Sequence, residues 1–290
     1  MTALSRQLVA VYDFLEHLWE HKRTERMIAR VLITVFLAAL LLIELSRLGL
    51  LPERLATLLP TSHFYAINVA FSMLLGLEVF GLVFSLASSV SVSVGKQFEI
   101  LSLILLRHSF KELVHFSEPL HWNSSAETVL HMLSNAGGGL AIFLLLGVYY
   151  KMQKHRAITC NIEAATHFIA SKKTVSLLLL LLFSVIGIID GIRYFSGTSL
   201  NNFFSLFYTI LVFSDVLLVL ISLRYSSDYP IVFRNSGFAF STVLIRLALT
   251  APPYLNVLIG IGAILFAIGI TLAYNRFEKP ETTGAPCESV

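Results

Sequence analysis

The chain has 290 residues, of which 56% are hydrophobic and only 13% charged, with a formal net charge of +3. A soluble domain of this size carries a charged skin that this composition cannot supply, which excludes a soluble enzyme or nucleic-acid-binding module and leaves a polytopic membrane protein. The two cysteines, Cys160 and Cys287, are too separated for a metal motif, and no disulfide framework is expected.

Residues 1–28 read as an amphipathic interfacial helix. Leu4, Leu8, Val11, Leu15, Leu18 and Trp19 recur at helical spacing, while Arg6, Asp13, Glu16, Glu20, Lys22, Arg23 and Arg26 fill the other faces. With Tyr12 and Trp19 present, the helix is expected to lie on the membrane surface. The alternative is a short helix packed on the bundle. No signal-peptide core or cleavage site is visible in this stretch.

Eight segments then match the length of about 20 residues that crosses a bilayer core of roughly 30 Å. They are 29–49, 66–90, 98–117, 126–150, 174–195, 202–223, 236–252 and 254–274. Hydropathy is weak for 98–117, which contains Arg107, His108, Lys111 and Glu112, and 236–252 is short and closed by Pro252-Pro253. Charge placement retains the third segment. With the amino end inside, Arg6, Lys22, Arg23, Arg26, Arg30, Lys96, Lys151, Lys154, Arg156, Lys172 and Lys173 all fall inside, followed by Arg224, Arg234, Arg276 and Lys279. Arg47, Arg54 and Arg193 fall outside. Omitting that segment would put the cluster at 151–173 on the wrong side. Both termini are therefore expected in the cytoplasm of a cell with a bacterial inner membrane or plasma membrane. Residues 151–173 are expected as a basic cytoplasmic loop and 276–290 as a disordered tail.

The segments form two sets of four with matching landmarks. Each first segment ends in acid-x-x-Arg, at Glu44 to Arg47 and Asp190 to Arg193. Each second carries one central acid followed by Val, at Glu78 and Asp215. Each third carries one arginine in a Ser-x-aliphatic-Leu-aliphatic-Arg frame, from Ser102 to Arg107 and from Ser241 to Arg246. Each fourth is glycine-rich, with Gly137, Gly138 and Gly139 in one and Gly260, Gly262 and Gly269 in the other. The expected fold is all-α, with two tandem parallel four-helix repeats at 29–150 and 174–275. The first half carries an extra stretch, roughly Val114 to Ala126, between its third and fourth segments. The outline resembles a voltage-sensor domain, but such domains carry arginines at every third place on their fourth helix, and none occurs here.

An arginine at mid-depth costs about 2.5–3.5 kcal/mol or more to insert, and a carboxylate on the neighbouring helix offsets that cost. Pairs Glu78–Arg107 and Asp215–Arg246 are predicted, with Arg47 and Arg193 folding back on Glu44 and Asp190 at an outer mouth. Gly76, Gly81, Gly137, Gly138, Gly139, Gly187, Gly191, Gly260, Gly262 and Gly269 are expected to let helices approach closely. His108, Glu112 and His115 fall at i, i+4 and i+7, with Glu118, His121 and His131 following. That spacing suits a pH-sensing group or, more weakly, a divalent metal. No haem ligand pair, phosphate loop, nucleophile elbow or H-E-x-x-H motif occurs, so no cofactor and no enzyme chemistry are expected.

These residues point to a channel or carrier for an ion, proton or small charged solute. Its route is expected at the contact of the two units or at the seam of a homo-oligomer. The lipid bilayer is the other partner, with no nucleic acid. The competing class is a non-transporting scaffold or sensor whose charged pairs are structural locks.

Overall fold

A computed structural model describes residues 3–50, 52, 60, 62–86, 90–116, 126–153, 162–195, 203–223 and 229–277. At 3–5, 90, 162–168, 191, 193–195, 203, 204, 222 and 223 it describes the backbone alone. The described residues are helical, with no strand among them. The helices are α1 (Ala3–Glu20), α2 (Lys22–Arg47), α3 (Phe64–Ser85), α4 (Val90–Lys111), α5 (Ala126–Met152), α6 (Ile162–Phe195), α7 (Phe203–Leu223), α8 (Tyr229–Thr250) and α9 (Leu255–Phe277). A 3₁₀ turn at Glu112–His115 follows α4.

Two expected boundaries move. The amphipathic helix stops at Glu20 because His21 turns to extended geometry and caps α2, its ring Nδ1 accepting from the Arg23 amide at 3.1 Å. The basic loop expected over 151–173 is mostly helix, since α5 runs to Met152 and α6 starts at Ile162. Lys172 and Lys173 therefore sit on α6. Lysine is a good helix former, so basic character alone did not mark a loop. Residues 154–161, with Cys160, and residues 278–290, with Cys287, lie outside the described residues.

Among the described residues, six helices are long and apolar enough to cross a membrane: Lys22–Arg47, Phe64–Ser85, Ala126–Met152, Ile169–Asp190, Tyr229–Thr250 and Leu255–Phe277. This is an integral membrane protein. Within α7, Ser205–Ile221 is a shorter apolar helix. α4 is not among the six, in keeping with its Lys96, Glu99, Arg107 and Lys111.

At the centre α4, α5, α8 and α9 enclose one core, built around Phe98, Leu101 and Leu105 of α4, Ile142 and Tyr149 of α5, and Phe238 and Ile245 of α8. A second core joins α3, α6 and α7 through Leu82, Val83, Phe183, Phe207 and Leu211. Neighbour order is the same on both sides. α2 packs on α3, α3 on α4 and α4 on α5, as α6 packs on α7, α7 on α8 and α8 on α9. Across the middle, α4 meets α8 and α5 meets α9. α5 and α9 run in the same direction, because Asn135 bonds Asn256 near their starts and Met152 bonds Asn275 near their ends. The outward faces of α5 and α6 are apolar and exposed, as at Leu133, Leu140 and Phe143 and at Leu178, Leu181 and Ile188. Hydrocarbon is the solvent such faces require.

Glycines matter at fewer places than the sequence suggests. A Cβ on Gly139 would sit 2.8 Å from the Ser102 carbonyl oxygen of α4, so this helix crossing depends on glycine. Gly138 faces Val257, and Gly260 faces Ile142. Gly76, Gly137, Gly262 and Gly269 have nothing within 4 Å. They belong to open faces, because one side of each helix points away from its neighbours. Between α8 and α9, Pro252-Pro253 is followed by Tyr254 in left-handed geometry at φ 68°, a conformation disfavoured for a residue with a Cβ.

Candidate functional site

The structure brings both expected ion pairs together, in different surroundings. Arg107 of α4 contacts Glu78 of α3, and the two side chains are 27% and 11% exposed. Arg246 of α8 lies 3.5 Å from Asp215 of α7, with exposures of 1% and 3%. The second pair is also tied across the bundle. Arg246 Nη2 donates to Gln97 Oε1 of α4 at 2.9 Å. Arg246 Nε and Nη1 and Asp215 Oδ2 are buried without a hydrogen-bond partner among the described residues. Buried polar atoms in that state are costly and are normally satisfied by protein or water.

Space for such partners lies beside the pair. A cavity of about 40 Å³ is lined by Ser93 and Gln97 of α4, Lys172 of α6, Asp215 of α7, and Asn235 and Thr242 of α8. That is room for a very small number of water molecules. Gln97, Lys172 and Asn235 were not among the residues expected at a site. Gln97 and Asn235 are neutral, and Lys172 was read as part of a loop. All three are buried, at 1%, 3% and 5% exposure.

Elsewhere along the central seam, Asn256 Nδ2 donates to Asn135 Oδ1 at 2.8 Å, and Asn256 Oδ1 accepts from the Val257 amide. Both asparagines are buried. Each is a neutral amide in an apolar helix, a signal that a search for charges passes over.

At the expected outer mouth, Glu44 and Arg47 meet through a third residue. Arg47 Nη1 lies 3.0 Å from His63 Nδ1, and His63 Nε2 lies 2.9 Å from Glu44 Oε2. Arginine can only donate, so His63 Nδ1 accepts and Nε2 carries the proton given to Glu44. Asp190 is buried, and its Oδ2 has no hydrogen-bond partner among the described residues. The Arg193 side chain lies outside the described residues, so its expected pairing with Asp190 does too.

The histidine group is rearranged. α4 ends at Lys111, and the 3₁₀ turn takes Glu112 and His115 off the helical face that also carries His108. The i, i+4, i+7 spacing shares a face only while α-geometry lasts. Glu112 instead lies between His131 of α5 at 3.9 Å and His115 at 4.0 Å. His131 also sets its edge against Tyr254, the rings 5.1 Å apart. Among the described residues, no three His, Cys, Asp or Glu side chains converge as a metal site requires. Glu118 and His121 lie outside the described residues.

α1 docks on the bundle. Tyr12 is fully buried and donates to the Phe84 carbonyl of α3 at 2.9 Å. Trp19 stacks on Phe84 and touches Phe80. Lys173 of α6 bonds Asp13, and Lys96 of α4 approaches Glu20 at 3.9 Å. Burial, then the neighbouring Glu16 and Asp13 carboxylates, pushes the Tyr12 phenol up. Burial, then Glu20, pushes the Glu16 carboxyl up as well. The opposite face of α1 leaves Val11, Phe14 and Leu18 exposed. The helix thus packs on the bundle and still presents an apolar stripe outward.

No protein-family profile, curated protein or solved structure matches the chain.

Proposed function

We propose that the protein is a membrane channel or carrier that passes an ion, proton or small charged solute past its paired acids and arginines. The observation that carries this reading is the Asp215–Arg246 pair, fully buried and flanked by a cavity, with Arg246 Nη1 left without a hydrogen-bond partner among the described residues. A pair serving only as a lock would be expected to have its hydrogen bonds completed by protein, because a buried donor left without an acceptor is costly. Ionisable groups inside a membrane bundle mark ion or proton routes by default.

In this reading the helices α2 to α9 all cross the bilayer. α4 crosses despite its charges because Arg107 has Glu78 as a counterion, and because eight crossings keep the basic residues on one side. α1 supports that count. It rests against the end of α3 and the starts of α4 and α6, which eight alternating crossings place on the side of the amino terminus. The repeated neighbour order supports a duplicated four-helix unit with its axis along the membrane normal. Both termini are then cytoplasmic, in a bacterial inner membrane or plasma membrane. Glu78, Arg107, Asp215 and Arg246 line the route, and Glu44, Arg47, Asp190 and Arg193 shape its outer mouth. A homodimer seam is the alternative location of the route.

The test is flux. Purified protein in liposomes would be challenged with gradients of protons, potassium, sodium and chloride, alongside Arg246→Gln and Arg107→Gln. Transport above protein-free liposomes, cut at least tenfold by Arg246→Gln, is the expected outcome. Wild-type protein that moves none of the four, while Arg246→Gln only lowers thermal stability, would establish the scaffold alternative.

A further inference from the structure

The corner between α1 and α2 sorts its charges by sign. Lys22, Arg23, Arg26 and Arg30 of α2 are exposed, and the helical period puts Arg23, Arg26 and Arg30 on one stripe. The acids of this corner turn elsewhere. Asp13 bonds Lys173, and Glu20 approaches Lys96. Glu25, the acid in the first turn of α2, faces a cavity that Glu20, Lys96 and Glu99 also line. None of the basic side chains at 22, 23, 26 and 30 makes an ion pair among the described residues. Arg30 Nε donates to the Arg26 carbonyl, which leaves both terminal nitrogens of that guanidinium to a partner outside the helix.

A groove continues from the arginines along α2. Its volume is about 410 Å³, and its described lining is Met27, Arg30, Val31, Thr34 and Val35. Arg30 stands at its charged end. From Val31 to Ile43 the helix carries no charge, so the groove lies where α2 passes from the interfacial layer into hydrocarbon.

We propose that this end of α2 binds an anionic phospholipid, its headgroup phosphate on Arg23, Arg26 and Arg30 and an acyl chain along Met27, Val31 and Val35. The guanidinium fork matches phosphate oxygens in pairs. A zwitterionic lipid adds an ammonium that the arginines repel. An acidic protein could meet the arginines but could not follow the groove into the bilayer. With the amino end inside, the site faces the cytoplasmic leaflet, where anionic lipids attract such basic segments. Binding stands whether or not the protein moves a solute.

The probes are phosphatidylglycerol, phosphatidylcholine with the same chains, and inorganic phosphate. Each is titrated into detergent-purified full-length protein while the unfolding midpoint is followed. Phosphatidylglycerol is expected to raise the midpoint, as a ligand of the folded state does, and the other two to leave it unchanged. Arg23→Gln, Arg26→Gln and Arg30→Gln together should weaken the response to phosphatidylglycerol about a hundredfold, at about fivefold per arginine. These side chains are exposed and outside any described ion pair, so the lipid-free midpoint should match wild type. Lys151→Gln with Arg276→Gln removes two exposed basic residues at the ends of α5 and α9, and should keep the wild-type response. Equal effects of the two lipids on wild type, or a triple variant that responds as wild type does, would overturn the proposal. A rise with inorganic phosphate equal to that with phosphatidylglycerol would make the stripe a free-anion surface and remove the lipid. Equal weakening in Lys151→Gln with Arg276→Gln would also overturn it, since attraction would then belong to the basic side of the protein at large.

Discussion

Two acid–arginine pairs, drawn from matching places in the sequence, end in different environments. Glu78–Arg107 stands between α3 and α4 with part of both side chains exposed. Asp215–Arg246 stands between α7 and α8, is closed over, and reaches Gln97 on α4. The helix beyond the pair makes the difference. α8 packs on α4, so the second pair faces the bundle interior and meets a polar group from the other half. The same local motif therefore supplies a partly exposed ion pair once and a fully buried one once. Sequence spacing sets which charges meet, and tertiary packing sets the dielectric around them.

The largest expected effect separates the pairs by stability. Removing one partner of a buried pair strands the other charge, at a cost of about 3–5 kcal/mol. Arg246→Leu should lower unfolding stability in detergent by that amount. Arg107→Leu strands Glu78, whose carboxylate oxygens are buried, but the side chain is 11% exposed and can relax outward, so the cost should be smaller, about 1–3 kcal/mol. The double variant Asp215→Leu with Arg246→Leu should recover most of the loss, since paired removal leaves no buried charge behind. Equal losses for Arg246→Leu and Arg107→Leu would break the contrast.

A second contrast concerns how tightly the helices of each half cross. In the first half, Gly139 meets the backbone of α4, which cannot swing aside. In the second, Gly260 meets the ends of Ile142 and Leu101, which can. Gly139→Ala should therefore cost about 1–3 kcal/mol through overpacking. Gly260→Ala should be near neutral, because alanine recovers up to about 1 kcal/mol of helix propensity while the side chains shift. Thermal unfolding of the two variants beside wild type checks the order.

The contrast also shows what could be read from the chain. Glu78, Arg107, Asp215 and Arg246 stood out because charge in an apolar segment needs an opposite charge, and four such residues in matched frames leave few pairings. Gln97, Asn135 and Asn256 carry no net charge, so pairing opposite charges passes over them, yet each makes a buried hydrogen bond between helices. His63 escaped notice because it begins a helix distant in sequence from Glu44 and Arg47. The histidine spacing misled because it assumed that α4 continued past Lys111. Glycine content gave no orientation, and orientation separates Gly139 from Gly137. Helix existence followed from composition. Which face of each helix turns inward is a property of the assembled bundle.

The asparagine pair links the halves where no charge is involved, which makes it a neutral counterpart to the Arg246–Gln97 bond. Asn135→Leu and Asn256→Leu should each lower stability by about 1 kcal/mol. Their coupling energy in a double-mutant cycle should be about 0.6 kcal/mol, the average for hydrogen bonds between membrane helices. Zero coupling would mean that packing alone joins α5 to α9 at this level.

The smallest effect concerns α1, which touches both sides, reaching α3 and α4 through Phe84, Phe80 and Lys96 and α6 through Lys173. Its Glu16 is pushed up by burial and by Glu20, with Asp13 adding, against Lys173 and Lys96. The docked form therefore holds this proton to higher pH than the free helix does. Its contribution is most favourable in acid, declines as pH rises from the ordinary glutamate range through the raised docked value, and is flat above that. Trp19 fluorescence, followed in a Trp122→Phe background, should report a firmer dock at lower pH across that window. Glu16→Gln should flatten the dependence and hold α1 as firmly at neutral pH as wild type is held in acid. A response unchanged in Glu16→Gln would move the titration to another group. The pH effect would then no longer bear on how α1 holds the two halves together.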